Sequence, residues 1–289
     1  MKTENLVSIR VWGDFACFTR PEMKVERVSY PIMTPSAARG VLEAIFWEPQ
    51  MYYLIHQIAV IRHTAGGREY GKGRWVSFQR NEVCKTVNPR TLQQWMNKPE
   101  KFEPIISGAG SGTGNIAQRN TLALAGVAYM VTAEICLTDL ARPPRDTLQK
   151  YKGELKRRAS GGKCHSRPAL GCREFAADFD WVDPQHREWI PRFPWPEEDL
   201  GLMLYDLFHH AERQRGFAWF NSARNYEEFD CSPAEAEAAK KRLHFGEAVQ
   251  PRACFFPAKV TDAVLECHPD NVKIRSVSGK QGYNATTSG

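Results

Sequence analysis

The chain has 289 residues, of which 42% are hydrophobic and 25% charged, a composition that predicts a soluble folded protein and excludes a disordered chain. The length favours one large domain or a core with one elaborated appendage, and the net charge of +6 fits a polyanionic partner without requiring one. No run approaches the roughly 18 apolar residues of a membrane span and no signal-peptide pattern follows Met1, so we expect a cytoplasmic protein with no membrane partner.

The first part of the chain reads as strand, helix, strand. In residues 6–12, hydrophobic side chains alternate with polar ones, which predicts a strand that buries one face and turns Arg10 and Trp12 to the other. Thr34 can cap a helix whose first turn contains Pro35 and which ends before Pro49. Residues 52–61 form the next predicted strand.

Residues 62–120 have the character of an insertion, because glycine, polar and basic residues replace the regular apolar pattern. Within it we expect a hairpin at 74–85, a short helix at 91–96 and a flexible loop at 107–114. The loop contains several glycines but lacks the G-K-[ST] ending of a phosphate-binding loop, so a linker is expected there.

A strand at 127–137, a helix at 146–159 and a strand at 172–181 complete the core pattern. The order predicts an α+β fold with a ferredoxin-like, RRM-like core over residues 5–185, in which two helices cover one face of a four-stranded sheet and the other face is free. Residues 186–275 are expected to form a C-terminal β-rich extension with an inserted helix at 232–246, followed by a flexible tail at 276–289.

Basic and aromatic residues coincide in three segments of the sequence. Cations beside ring side chains are typical of proteins that neutralise phosphates and stack bases of single-stranded RNA. For the second helix, a solvated charged face is an equally good interpretation. The segments are a loop (Phe18, Arg20, Lys24, Arg27, Tyr30), the insertion (Arg62, Arg68, Tyr70, Lys72, Arg74, Trp75, Phe78, Arg80) and the second helix with its exit (Lys150, Lys152, Lys156, Arg157, Arg158, Lys163).

Neither a metal nor another cofactor is predicted. The eight cysteines are scattered with no C-x-x-C, and neither Cys164, His165 and Cys172 nor Cys267 and His268 have partners at ligand spacing. No H-E-x-x-H, G-x-S-x-G or paired carboxylates are present. A ribonuclease without metal remains compatible with the sequence, because the substrate 2′-OH can serve as the nucleophile.

Three segments resemble one known family. They are RVWGDFACFTRPEMKVERVSYPIMTPSAARGVLEAIFW at 10–47, QRN at 118–120 and LGCREF at 170–175, with a further match in DLGLMLYD at 199–206. Over about two-thirds of the chain they resemble the CRISPR-associated Cas protein family five, type I-C (Dvulg) subtype, of the RAMP superfamily. The segments at 64–85 and 232–246 look like additions to the family pattern.

The resemblance implies a subunit of the type I-C surveillance complex that holds the repeat-derived 5′ handle of CRISPR RNA. It implies contacts with the large subunit and backbone subunits, an indirect relation to target DNA, and metal-independent cleavage of precursor CRISPR RNA in the repeat, in the manner of an endoribonuclease. The positions expected to contact the handle or support those contacts are Arg10, Trp12, Arg20, Lys24, Arg27, Tyr30, Arg39, Arg119 and Arg173.

The catalytic residues of the family are not matched here. Its well-described members use a tyrosine where this chain has Phe46, and a Lys-His pair where this chain reads GTGNI at 112–116. We therefore nominate Tyr30, His63 and Arg119 as the catalytic group. The alternatives are a handle-capping structural subunit that does not cut RNA, and a general single-strand RNA-binding protein outside immunity.

Overall fold

The computed structural model describes residues 6–23, 25–83, 87–102, 116–214 and 252–276. Two short 3-10 helices, at Pro99–Lys101 and Pro184–Trp189, accompany the regular elements. The helices are α1 Pro35–Ile45, α2 Pro89–Asn97, α3 Leu148–Ser160 and α4 His210–Gln214. The strands are β1 Leu6–Ala16, β2 Arg27–Val28, β3 Met51–Val60, β4 His63–Ala65, β5 Arg68–Tyr70, β6 Lys72–Val83, β7 Ile116–Leu137, β8 Asp178–Trp181, β9 Glu198–Asp206, β10 Cys254–Thr261, β11 Val264–Glu266 and β12 Arg275–Ser276.

A single large sheet organises the described part of the chain. Its main path runs β12-β10-β11-β3-β7-β1-β8, with β2 and β6 paired to β7 and β9 paired to β10. Along the stretch β3-β7-β1-β8, every neighbouring pair is antiparallel. The protein is therefore a mixed α/β structure built on a mainly antiparallel sheet.

The main hydrophobic core lies between this sheet and the helices α1 and α3. Val7, Ile9 and Val11 alternate along β1 and are fully buried, as their spacing predicts. They belong to one cluster with Val41 and Leu42 of α1 and with Tyr151, Leu155 and Ala159 of α3. The N-terminus of α1 also follows the prediction, because the Thr34 hydroxyl accepts a hydrogen bond from Ala37 N at 3.2 Å.

The opposite face of the sheet is partly covered, so the prediction of a free face is wrong. A second cluster buries Ala59, Ile61, Ala128, Met130 and Val182, with Trp12 and Ile190 packed against it. The chain after β8 returns across this face, where Ile61 and Arg192 form a bridge. Apolar side chains of β3 and β7 on this face are thereby removed from water.

Two elements differ from their predictions, one in its pairing partner and the other in its length. The predicted hairpin at 74–85 does not fold on itself, because β6 pairs along its length with β7, from Lys72 opposite Val127 to Val83 opposite Ile116. The predicted strand at 172–181 is regular only over Asp178–Trp181. The predicted loop at 107–114, the helix at 232–246 and all but the first residue of the tail at 276–289 lie outside the described residues.

Within the described ranges, the helices lack the combination of length and apolar character that a membrane crossing requires.

Two glycines, one inside α3 and one just after it, allow a paired test of backbone conformation. An added Cβ meets nothing within 4 Å at either Gly153, inside the helix, or Gly162, just beyond it with φ +62°. We expect Gly153→Ala to raise the free energy of unfolding by about 0.5–1 kcal/mol, and Gly162→Ala to lower it by about 1–2 kcal/mol because a Cβ disfavours left-handed backbone. Urea unfolding measures the change in the free energy of unfolding for each variant. If both substitutions changed it in the same direction, the proposed left-handed backbone at Gly162 would be contradicted.

Candidate functional site

An open cleft of about 1180 Å³ lies beside β1, between the β4-β5 hairpin and the β6-β7 pair. Its lining includes four cations but only two carboxylates, and the aromatic rings of Phe15, Tyr70 and Phe193. The cations are Arg62, Arg68, Lys72 and Arg74, and the carboxylates belong to Asp14 and Glu69. The cleft therefore offers a mainly positive surface with ring side chains, which suits a polyanion that carries flat bases.

Two glycines determine the shape of the hairpin that forms one wall. Ala65 pairs with Arg68, so Gly66 and Gly67 are the two central residues of the turn, and both have positive φ, at 55° and 75°. A two-residue turn of this kind matches the twist of the strands but is strained for residues with a Cβ. The turn sets His63 opposite Tyr70 at the cleft.

His63 is the titratable side chain of the cleft with the most distinctive surroundings. Its ring centroid lies 4.3 Å from that of Trp12, and its Nε2 atom is buried with no hydrogen-bond partner among the described residues. Burial, together with the charge of Arg10, lowers the pKa of His63 below its usual value, although Asp180 opposes the shift. The imidazole is consequently neutral near pH 7 and has the chemistry of a proton acceptor.

The cations of the cleft differ in how far protein carboxylates neutralise them. Arg68 pairs with Asp14 at 2.8 Å and Lys72 with Glu198 at 3.5 Å. Arg62 and Arg74 are exposed and have no carboxylate partner within the part of the chain that the structure describes. These two arginines are thus available to an external anion.

The predicted basic loop is more occupied by protein contacts than expected. Tyr30 is 2% exposed, and its hydroxyl accepts a hydrogen bond from Leu204 N at 3.2 Å. Burial raises the pKa of this phenol. The guanidinium of Arg20 lies 5.0 Å from the Tyr30 ring centroid, and Arg27 pairs with Glu174 at 2.6 Å. Lys24 lies outside the described residues. The loop is anchored to the protein, and the Tyr30 side chain makes protein contacts in this structure.

Three further predicted RNA-binding arginines have carboxylate partners. Arg10 makes a two-pronged contact with Asp180 and lies near the Trp12 ring. Arg39 is held between Glu43 and Asp206. Arg119 pairs with Glu82 at 3.4 Å and Glu26 at 3.9 Å. Arg173 is exposed and has no ion-pair partner among the described residues.

The structure does not bring the nominated catalytic group Tyr30, His63 and Arg119 together. Tyr30 packs in the core on the helix side of the sheet, whereas His63 stacks on Trp12 on the other side. Arg119 is opposite Arg80, eight residues along β7 from Val127, which is about 26 Å away in an extended strand. Of the three, only His63 lies in the cleft.

The residues that form the cleft belong to one of the three basic segments identified in the sequence. The sequence did not mark that segment as the strongest candidate for RNA binding. The signal was the paired glycine Gly66-Gly67 between short alternating segments, which predicts a tight hairpin at that point. The approach of Trp12 to His63 could not be read from the sequence, because it depends on pairings between residues far apart in the chain.

Comparison with known proteins gives consistent results. The sequence model of a family described as "CRISPR-associated protein (Cas_Cas5)", Cas_Cas5d, matches residues 6–230. A "CRISPR pre-crRNA endoribonuclease Cas5d" of Mannheimia succiniciproducens is 34% identical over 242 residues, 82% of this chain and 99% of that protein. A protein of the same name from Thermus thermophilus is 39% identical over 201 residues, 70% of this chain and 72% of that protein. A solved structure, "Crystal Structure of CRISPR-associated Protein", is similar in fold, with a TM-score of 0.52 and 14% identity over 90% of each chain.

Proposed function

The chain belongs to the CRISPR-associated protein family Cas5, type I-C, and on this basis we propose that it binds the repeat-derived part of CRISPR RNA and cuts the precursor in the repeat. The observation that carries the proposal is the position of His63. A neutral imidazole lies in a cleft that also contains the exposed cations Arg62 and Arg74, which have no carboxylate partner among the described residues.

The cleft supplies a base and two cations for cleavage by the substrate 2′-OH. His63 removes the proton of the 2′-OH, whose oxygen then forms a bond to the adjacent phosphorus. Arg62 and Arg74 stabilise the negative charge that develops on the phosphoryl oxygens. The bond from phosphorus to the 5′-oxygen breaks, and a water molecule in the open cleft gives that oxygen a proton as it leaves. The RNA keeps a 2′,3′-cyclic phosphate at one new end and a 5′-hydroxyl at the other.

Binding rests on the cations and rings that surround the reacting group. Phe15 is 43% exposed and lies in the same cleft as Tyr70, so both rings are available for stacking with unpaired bases. The exposed guanidinium groups of Arg62 and Arg74 would contact the phosphates on either side.

Family membership supports a place in the type I-C surveillance complex. In this proposal the chain holds the 5′ handle, contacts the large subunit and the backbone subunits, and meets target DNA only indirectly, in the cytoplasm. We also propose that residues 5–185 form a ferredoxin-like core and residues 186–275 an extension of it. The antiparallel order β8-β1-β7-β3, with α1 and α3 on one face, supports this division.

Cleavage of a labelled precursor RNA in EDTA tests the proposed activity. We expect one cut within the repeat, and no cut when a 2′-deoxyribonucleotide precedes the scissile phosphate. Intact RNA at excess protein would remove the nuclease proposal. Cutting of the 2′-deoxy substrate would exclude the 2′-OH mechanism.

Salt dependence of RNA binding tests the role of the two unpaired arginines. For Arg62→Ala with Arg74→Ala, we expect weaker binding of repeat RNA and a slope of log affinity against log salt that is smaller by about 1.4, because two phosphate contacts are lost from a single strand. Fluorescence anisotropy over a salt series measures the slope. Lys156→Ala, on the exposed side of α3, is the matched control and should leave the slope unchanged.

A second function, a handle-capping subunit that does not cut RNA, is favoured by one observation. Phe46 occupies the position at which well-described members of the resembled family have a catalytic tyrosine. Its side chain is 4% exposed, and its ring centroid lies 6.2 Å from that of Tyr151. Phenylalanine has no proton to exchange, and its position is closed to RNA. Tight binding of repeat RNA without any cut would support this function over cleavage.

A further inference from the structure

Three potential metal ligands converge on the sheet face that carries His63, but outside the cleft. Candidate ligand atoms of His56, Glu134 and His268 all lie within 4.8 Å of one another. The His56 Nε2 atom is 3.2 Å from Glu134 Oε2, and the two imidazole centroids are 4.2 Å apart. Two imidazoles and a carboxylate are a ligand set that binds Zn²⁺ with one coordination position left for water.

The backbone brings these side chains together from three distant segments. The register of β3 shifts between Ile55 and Gln57, so His56 occupies a bulge that redirects its side chain. The backbone carbonyl of His56 accepts a hydrogen bond from Cys267 N at 2.8 Å, which fixes the chain at His268 beside it. Glu134 comes from β7, opposite Leu54. The convergence is therefore set by backbone pairing rather than by flexible side chains alone.

The ligand atoms are sheltered but reachable. The side chains of His56, His268 and Glu134 are 7%, 14% and 28% exposed. His268 Nδ1 accepts a hydrogen bond from Asp270 N at 3.2 Å, and the Asp270 carboxylate lies 3.6 Å from the same nitrogen. An ion at Nε2 of His268 would place the ring proton on Nδ1, within reach of the Asp270 carboxylate.

We propose that His56, Glu134 and His268 bind one divalent transition-metal ion, with Zn²⁺ as the best match, and that the ion stabilises the fold by joining the segment after β11 to β3 and β7. Glu134 is six residues along β7 from Ala128, which pairs with Trp12, a separation of about 20 Å in an extended strand. The ion is consequently too far from the cleft to take part in RNA cleavage. The proposal does not depend on the nuclease activity.

Metal binding by the full chain, first stripped with a chelator and then dialysed, tests this proposal. Isothermal titration with Zn²⁺ is expected to show one saturable site per chain and a rise in melting temperature on addition of one equivalent. Glu134→Gln, which keeps the side-chain shape, and His268→Ala should each weaken binding at least about 10-fold. His186→Ala changes an exposed histidine outside the set and should bind like the parent.

Substitution with Co²⁺ keeps the proposal falsifiable if a variant fails to fold. The parent protein should give the weak visible bands of nitrogen and oxygen ligation. An intense near-ultraviolet thiolate-to-cobalt band would assign the ion to cysteines, such as the exposed Cys164, and overturn the proposal. Absence of a saturable site, or equal affinity in Glu134→Gln and His186→Ala, would overturn it as well.

Discussion

Replacement of Asp206 by Asn is expected to lower the free energy of unfolding by about 3–5 kcal/mol, because it removes the buried charge that Arg39 and Arg213 share. Asp206 accepts hydrogen bonds from Arg39 Nε at 3.0 Å and from Arg213 Nη2 at 3.0 Å. The side chains of Arg213 and Asp206 are only 5% and 7% exposed. Glu43 also pairs with both arginines, but its side chain is only in part buried, so it does not replace the lost charge of Asp206.

The same carboxylate predicts a dependence of stability on pH. Burial by itself would raise the pKa of Asp206, but the charges of Arg39 and Arg213 outweigh it and hold the pKa below its usual value. A depressed pKa stabilises the folded protein above the ordinary carboxylate pKa, and this contribution is lost as the pH falls through the lower value of the folded state. The free energy of unfolding should therefore fall less on acidification in Asp206→Asn than in the parent protein.

Urea unfolding of the two proteins measures the difference at neutral pH. Asp178→Asn is the matched control, since Asp178 is an exposed aspartate on β8, and its effect should stay within about 0.5 kcal/mol. A loss of less than about 1 kcal/mol for Asp206→Asn, the level of an exposed ion pair, would contradict a buried network.

Replacement of His63 by Ala is expected to slow cleavage of precursor RNA by about 10²- to 10⁴-fold, the contribution of a general base. Affinity for the RNA should change much less, because Arg62 and Arg74 still contact the phosphates. Single-turnover cleavage in EDTA and anisotropy on the same RNA separate the two effects. His186→Ala, in an exposed 3-10 helix, serves as the control and should cut at the parental rate.

The pH profile distinguishes a base from a merely structural residue. The pKa of His63 lies below its usual value, chiefly through burial and then through Arg10, so the neutral form prevails at pH 7. The parental rate should fall as the pH drops through that lowered pKa, because protonation removes the lone pair. The residual activity of His63→Ala should lack this acidic limb. If the rate of the variant still fell at low pH in the same way, the titration would belong to a group other than His63.

Much of the core could be predicted from periodicity in the sequence. The alternation of Val7, Ile9 and Val11 and the cap at Thr34 determine local structure within a few residues, and both agree with the structure. The partner of β6 could not be predicted in this way. The residue pattern of such a strand is the same whether it folds into a local hairpin or pairs with a distant strand. Here the partner is β7, which is 22 residues long and pairs with the full length of β6.

The candidate site was only in part predictable, for a related reason. Sequence identifies cations such as Arg27 and Arg119, but it does not tell which carboxylates will neutralise them. Glu174 is 147 residues from Arg27 in the chain and nevertheless pairs with it. The burial of Tyr30 likewise depends on β9, whose Leu204 N donates to its hydroxyl from 174 residues away.

Photocrosslinking of 5-iodouridine-substituted repeat RNA to the full chain, followed by mass spectrometry of the joined peptides, tests most directly whether the cleft holds RNA. Phe15, which lines the cleft, is 43% exposed, and crosslinks are expected on the peptide that contains it and on the peptides of His63 and Tyr70. Crosslinks confined to α3 and its exit, on the helix side of the sheet, with the cleft peptides unmodified, would contradict the account.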